Sequence, residues 1–437
     1  MTWSPLRGLR AKVDKHLPGD TAKHLPLPAN RPARILHIIN DLSIGGAEMM
    51  LYKLLAETDR TRFRPVVISL MRHAALRQRI EALGIEVHST QMRAGMPTPL
   101  GLWRLVRLMR RLNPDLIVGW MYHSCFAAHL ANLFSFKRAP IVWSIHYAIS
   151  SLEREKWLTA ATVRVCAFLS NLPGQIIFVS QSAQRQHKSL GYPTKKSCVI
   201  PNGIDLTEFM PSADARLSVR SELGLPQGAF LIGLVGRYHP MKDHATFLRA
   251  AALLSGLHPD VHFLLIGRKV NRENRELGES IQQLGLAPRT HLLSERHDLP
   301  RLVAALDVFS LSSAYGESFP NVIGEAMACG VPCVVTDVGD AAWMVESAGR
   351  VVPTDDPNAL AEAWREMIYL GPEARQALGQ SGRLRVTEHF TLKSVAARYH
   401  GLYENVLTNE LPEEFANKAP GTISSLSTTL EQTGAQT

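Results

Sequence analysis

No apolar run in this 437-residue chain reaches the ~18 residues that a membrane-crossing helix needs, so no such helix is expected. Gly-x-Gly-x-x-Gly is missing after the first apolar run, which disfavours a dinucleotide-binding enzyme. Cysteines are few and odd in number. Cys125, Cys166, Cys198, Cys329 and Cys333 lie mostly in apolar segments and read as reduced thiols of a cytoplasmic protein. Cys329 and Cys333 have no His or Cys partner at ligand spacing, so packing, not metal, is their expected role. Aromatic residues are 7% of the chain and do not interleave with the basic ones, so nucleic acid is not an expected partner. The basic N-terminus has no continuous apolar core before a small-residue cleavage site, which argues against a secretory signal.

The length suits two domains, each with its own core. Charge divides them: Lys plus Arg outnumber Asp plus Glu by 28 to 12 through Asp205 and are outnumbered 20 to 27 afterwards. A first half this basic would be drawn to an anionic surface or acceptor. Residues 1–33 are basic and rich in proline and read as a flexible segment, with a short interfacial helix as the competing reading. Residues 409–437, rich in Ser, Thr and Glu, read as a disordered tail.

Between them, short apolar runs alternate with longer amphipathic stretches. Strands are expected at 35–39, 66–70, 85–88, 116–119, 141–145, 176–179 and 199–200, and again at 231–235, 261–266, 291–293, 308–311, 333–336 and 350–352. That alternation makes an α/β protein of two successive Rossmann-like units with parallel sheets. Ligands of such sheets bind outside the carboxyl ends of the strands.

Glu317 and Glu325 flank a loop-to-helix junction at Ser318-Phe319-Pro320-Asn321-Val322. Pro320 suits a helix start, and the free amides of Asn321 and Val322 can receive an anion such as a pyrophosphate. Beside phosphates, the two carboxylates would take neutral hydroxyls as partners. A capped helix with an acidic first turn is the alternative. Leu231–Val235 runs into Gly236-Arg237-Tyr238-His239-Pro240-Met241-Lys242-Asp243, which sets Arg237 and Lys242 at a strand's carboxyl end, where they can meet a leaving diphosphate or simply be solvated. Gly45-Gly46 follows the first strand, as a close backbone approach to a ligand or as a tight turn. His146 ends the run Ile141–Ile145 at the sheet edge, as a ligand contact or as a structural histidine.

With its Glu-x7-Glu motif, its Gly-Arg…Lys-Asp segment and Asn202-Gly203-Ile204-Asp205…Phe209, the chain resembles family 4 of the retaining glycosyltransferases over roughly 34–407. Gly45-Gly46-Ala47-Glu48, Trp120-Met121-Tyr122-His123 and Thr336-Asp337-Val338-Gly339-Asp340 make it most similar to the bacterial O-antigen and exopolysaccharide transferases. The resemblance implies a GT-B fold: an acceptor domain over 34–205, a nucleotide-sugar donor domain over 206–390, and a helix over 391–408 crossing back to the first.

It also implies roles. Glu317 would contact the donor sugar and Glu325 the ribose hydroxyls. Amides from Phe319, Pro320's neighbour, to Val322 would approach the diphosphate of a UDP- or GDP-sugar. Arg237 and Lys242 would stabilise the leaving group, His146 would contact the sugar and support the reaction, and Gly45 and Gly46 would lie by the diphosphate and acceptor. No cofactor or metal is expected, and Asp-x-Asp, with which metal-dependent transferases of another fold hold a cation, is missing. The acceptor would be a growing bacterial surface glycan carried on a polyprenyl diphosphate, at the inner face of the membrane. A sugar-nucleotide epimerase and a non-catalytic donor-binding scaffold share these features. On Leu100–Leu112, Arg104, Arg107, Arg110 and Arg111 form either a solvated basic face or one that docks on anionic lipid.

Overall fold

The computed structural model describes residues 31–72, 75–93, 98–135, 137–149 and 157–409. The N-terminal segment, apart from its last three residues, and the C-terminal tail beyond Asn409 lie outside the described residues.

Every expected strand is present. The first sheet holds β1 (Ala33–Ile39), β2 (Phe63–Met71), β3 (Glu86–Met92), β4 (Leu116–Trp120), β5 (Ile141–Ile145), β6 (Gln175–Phe178) and β7 (Ser197–Val199), all parallel, in the order 3-2-1-4-5-6-7. The second holds β8 (Phe230–Val235), β9 (Val261–Ile266), β10 (Thr290–Leu293), β11 (Val308–Leu311), β12 (Cys333–Thr336) and β13 (Gly349–Val352), in the order 10-9-8-11-12-13. Helices cover both faces of each sheet, which is why β4, β5, β11 and β12 are nearly continuous apolar runs, broken only by Ser144, Ser310 and Thr336, and are buried throughout. β3 runs four residues beyond its expected end at His88. Its apolar pattern stops there, but Ser89 and Thr90 donate to the carbonyls of Met71 and Leu70 at 2.9 and 2.7 Å, so side chains extend this edge strand.

The chain crosses between the halves twice, and the crossings pair. Ile204 and Thr391 form a parallel bridge, with the Ile204 amide on the Phe390 carbonyl at 2.8 Å and the Leu392 amide on the Ile204 carbonyl at 3.0 Å. A Cβ on Gly203 would lie 2.7 Å from Leu392 Cα, so glycine is needed for this approach. The helix Leu392–Thr408 then returns to the first half, where Val395, Tyr399, Leu402 and Tyr403 share a core with Ile35, Val118 and Trp120.

All five cysteines are buried and unbridged, and burial pushes the thiols of Cys166, Cys198 and Cys329 up to about 12. Burial pushes imidazoles the other way: His37 to about 3, and His129, His146, His187 and His244 to about 4. Each full unit is worth about 1.4 kcal/mol. These groups stay neutral when folded and bind protons when unfolded. Their stabilisation is complete above the ordinary histidine pKa of about 6.5 and is lost as pH falls towards 4. Glu325, pushed up to about 7 by burial, works the other way, as do Glu48 and Asp340, whose carboxyls burial also raises, but these are fewer than the imidazoles. The urea midpoint is therefore expected to drop markedly between pH 7 and pH 5. An equal midpoint at both values would show that these rings are solvated.

Candidate active site

β8 and β11 are neighbours at the point where the strand order of the second sheet reverses, and the loops that follow them build the site. Lys242 and Glu317 arrive from these two loops. Gly236 has no side chain, and a Cβ there would press on the Lys242 stem at 3.2 Å, so the lysine folds back over the strand end. Lys242 Nζ meets Glu317 Oε1 at 2.5 Å, and Ser313 Oγ donates to the same oxygen at 2.7 Å. Ser312 Oγ donates to the carbonyls of Lys242 and Asp243 at 2.9 and 3.0 Å, and the Ala314 amide to Met241 at 3.0 Å, which stitches the loops together. Gly316, at φ +76°, turns the second loop against Met241, where a Cβ would fall 2.8 Å from its sulfur. Lys242 and Glu317 are thus a buried ion pair, where the sequence suggested two separate ligands.

Arg237 is exposed and, among the described residues, has no hydrogen-bonded or ion-paired partner. Together with Lys242 it lowers the pKa of His239, after burial, the larger cause. The helix Asn321–Ala328 starts after Pro320, as expected. Among the described residues the Asn321 and Val322 amides have no protein acceptor. Phe319 belongs to the core, edge-on to Trp343 and Phe390, so only its backbone can serve a ligand. Glu325 lies one turn further along. Burial raises its pKa to about 7 against the opposing charge of Lys53, and among the described residues its carboxylate accepts no hydrogen bond.

In the first half, Gly45 caps the helix Gly46–Ala56 with extended backbone, and a Cβ there would meet Glu48 Oε2 at 2.4 Å. Gly46 faces open space. His146 stacks on Trp120, ring centres 4.9 Å apart. Its Nδ1 donates to Asn202 Oδ1 at 3.2 Å, and its Nε2 accepts from Ser144 Oγ at 2.9 Å, with Tyr399 OH at 3.5 Å. Asn202 Nδ2 donates in turn to Asn321 Oδ1 at 2.8 Å. Both ring nitrogens are engaged, so a catalytic contact from His146 would have to open one of these bonds. A polar chain from the returning helix to the start of the donor helix is what the ring carries here.

Ser313, Asn202 and Tyr399 are the residues that sequence reasoning missed. Asn202 lies in a segment it quoted, but nothing local marks the partner 119 residues away. Ser313 and Tyr399 carry no sequence signal.

Two parallel Rossmann-like sheets, with a cation, a carboxylate and free helix amides at the switch point of the second, make up the GT-B architecture. Residues 44–208 match the model of Glycosyltransferase Family 4 and residues 229–369 that of Glycosyl transferases group 1, and the chain belongs to this family. The lipopolysaccharide core biosynthesis mannosyltransferase LpsB of Rhizobium meliloti is 28% identical over 50% of this chain and 64% of its own length. A UDP-Gal:alpha-D-GlcNAc-diphosphoundecaprenol alpha-1,3-galactosyltransferase of Escherichia coli is 27% identical over 51% of this chain and 58% of its own. The matches thus span less than two thirds of these relatives. HepE of Anabaena, solved in complex with UDP, shares the fold at TM-score 0.75 and 24% identity over 85% of this chain and all of that one.

Proposed function

We propose that this chain is a retaining, metal-independent glycosyltransferase of bacterial glycan biosynthesis that uses a UDP- or GDP-sugar. The observation that carries the reading is the Lys242–Glu317–Ser313 group beside the open Asn321 and Val322 amides. Arg237, Lys242 and the helix start oppose the charge that grows on the leaving diphosphate, as preorganised donors at the carboxyl edge of the sheet. Glu317, fixed through one oxygen, offers the other to sugar hydroxyls, and Glu325 takes the ribose hydroxyls. In a same-face reaction the bond from the anomeric carbon to phosphate oxygen breaks as the bond to the acceptor oxygen forms, and the acceptor proton passes to the leaving phosphate.

The UDP complexes of HepE and the UDP-Gal specificity in the name of the Escherichia coli relative favour UDP. That name also favours a diphosphopolyprenol-linked acceptor, which in this reading belongs to a surface glycan and is met from the cytoplasmic side. The test is transfer in EDTA from UDP- and GDP-sugars to a lipid-linked glycan, with the product anomer read by NMR. Transfer with retained configuration is the expected result, with UDP or GDP at ~100 times its dissociation constant adding roughly 2.7 kcal/mol of stability. Product without acceptor would identify an epimerase, and binding without consumption a scaffold.

Membrane docking is part of the proposal. On the helix Pro99–Leu112, Leu105, Met109 and Leu112 are buried while Leu100 and Trp103 are more than half exposed. The Arg107 guanidinium lies 5.4 Å from the Trp103 ring centre. Arg110 donates to the carbonyl of Phe134, a third exposed apolar side chain. Apolar groups among arginines suit an anionic interface. Arg104 and Arg111 are partly engaged, on Thr90 and Glu86. Replacing all four arginines is expected to abolish low-salt binding to anionic liposomes, and Trp103→Ala to weaken it. Unchanged sedimentation with liposomes would sink the membrane reading.

A further inference from the structure

The segment Thr336–Asp340 takes no part in the donor site as described, yet it joins the two halves. Gly339 adopts φ +63°, and a Cβ there would fall 2.5 Å from the Glu317 carbonyl oxygen and 2.9 Å from that of Ser318. The turn therefore lies flat on the backbone that carries Glu317. The Asp340 amide donates to the Ser318 carbonyl at 3.0 Å. Its carboxylate, 3% exposed, reaches into the other half: Oδ2 accepts from the Gln181 amide at 2.7 Å and Oδ1 from the Ser182 amide at 2.9 Å. These are the first amides of the helix Gln181–Ser189. Its own cap, Ser180 Oγ, accepts from Ala183 at 3.0 Å and meets Ser318 Oγ at 2.6 Å.

A carboxylate on helix-start amides gains charge-assisted bonds and the favourable end of the helix dipole. Here the carboxylate and the helix come from opposite halves. Opening the cleft would give both back to water, so the contact can be made and broken reversibly. We propose that Asp340 is a positioning residue whose cap on the helix Gln181–Ser189 holds the halves closed and fixes the Glu317–Ser318 segment at their seam. Closure itself stands on geometry alone; its effect on transfer rests on the proposed function.

Two variants attack the contact from its two sides. Asp340→Asn removes the charge. Gln181→Pro removes one donor without touching the second half, at a first helical position that accepts proline, after a Ser180 already extended at φ −150° and ψ 156°. In the full chain, small-angle scattering is expected to show a larger radius of gyration for each variant. Transfer kcat should fall at least tenfold while UDP affinity stays within about twofold. The double variant should match Asp340→Asn alone, because both changes remove one contact. Wild-type scattering for both variants, or additive effects, would overturn the proposal. If Asp340→Asn fails to fold, Gln181→Pro decides. If no donor supports transfer, the proposed function fails and scattering still tests closure.

Discussion

Glu317→Gln is expected to cut transfer kcat by about 10²–10³-fold while UDP binding holds or tightens. The amide can still accept from Ser313 but no longer balances Lys242, so the ammonium is freer for phosphate while the sugar loses its charged acceptor. Lys242→Ala should do the reverse for UDP. It leaves a carboxylate that is 9% exposed facing the diphosphate without its ion-pair partner, so nucleotide affinity and stability both fall. Arg237→Ala, at an exposed position, should lower transfer with stability unchanged. Initial rates, calorimetric UDP titration and thermal melts separate the three. Near-normal turnover in all of them would refute the site.

Asp307→Ala is expected to cost roughly 3–5 kcal/mol of stability, the range for stripping a buried ion of its partner. Asp307 takes Arg220 at 2.7 Å, Arg216 at 2.6 Å and the amide of Leu231, the second residue of β8, at 2.8 Å. The Arg220 side chain is fully buried and also donates to the carbonyls of Ala305 and Ala229 at 2.8 and 3.1 Å, so it cannot swing out to water when the carboxylate goes. Arg220→Met in the same chain should recover a large part of the loss, since an apolar pair of similar volume avoids burying charge. Urea denaturation of the two single variants and the double gives the coupling directly. Equal losses for Asp307→Ala with and without Arg220→Met would show that the pair is not coupled.

Both predictions turn on contacts that no local reading contains. Glu317 and Lys242 were each legible as candidates, Lys242 because a charged residue after a buried apolar run marks a strand's carboxyl end, and Glu317 because it precedes the helix start that Pro320 marks. That they neutralise each other was not, since it depends on β11 lying beside β8. His146 was equally legible as a sheet-edge histidine. Only its neighbours, Ser144, Asn202 and Tyr399, show that both ring nitrogens are occupied. The four arginines of Leu100–Leu112 read as one basic face, and the fold divides them among Thr90, Trp103, Phe134 and Glu86.

By itself the sequence determined the thirteen strands, the helix start after Pro320 and the two-sheet α/β class. Strands buried on both faces are written as continuous apolar runs, and helix starts as proline and free amides, all within a few residues. Tertiary structure alone decided the strand order, the Lys242–Glu317 pair across 75 residues, the Asn202–Asn321 link across 119 and the Asp340 cap across 158. Those contacts depend on which strand lies beside which and on how the two halves meet, and local periodicity carries neither.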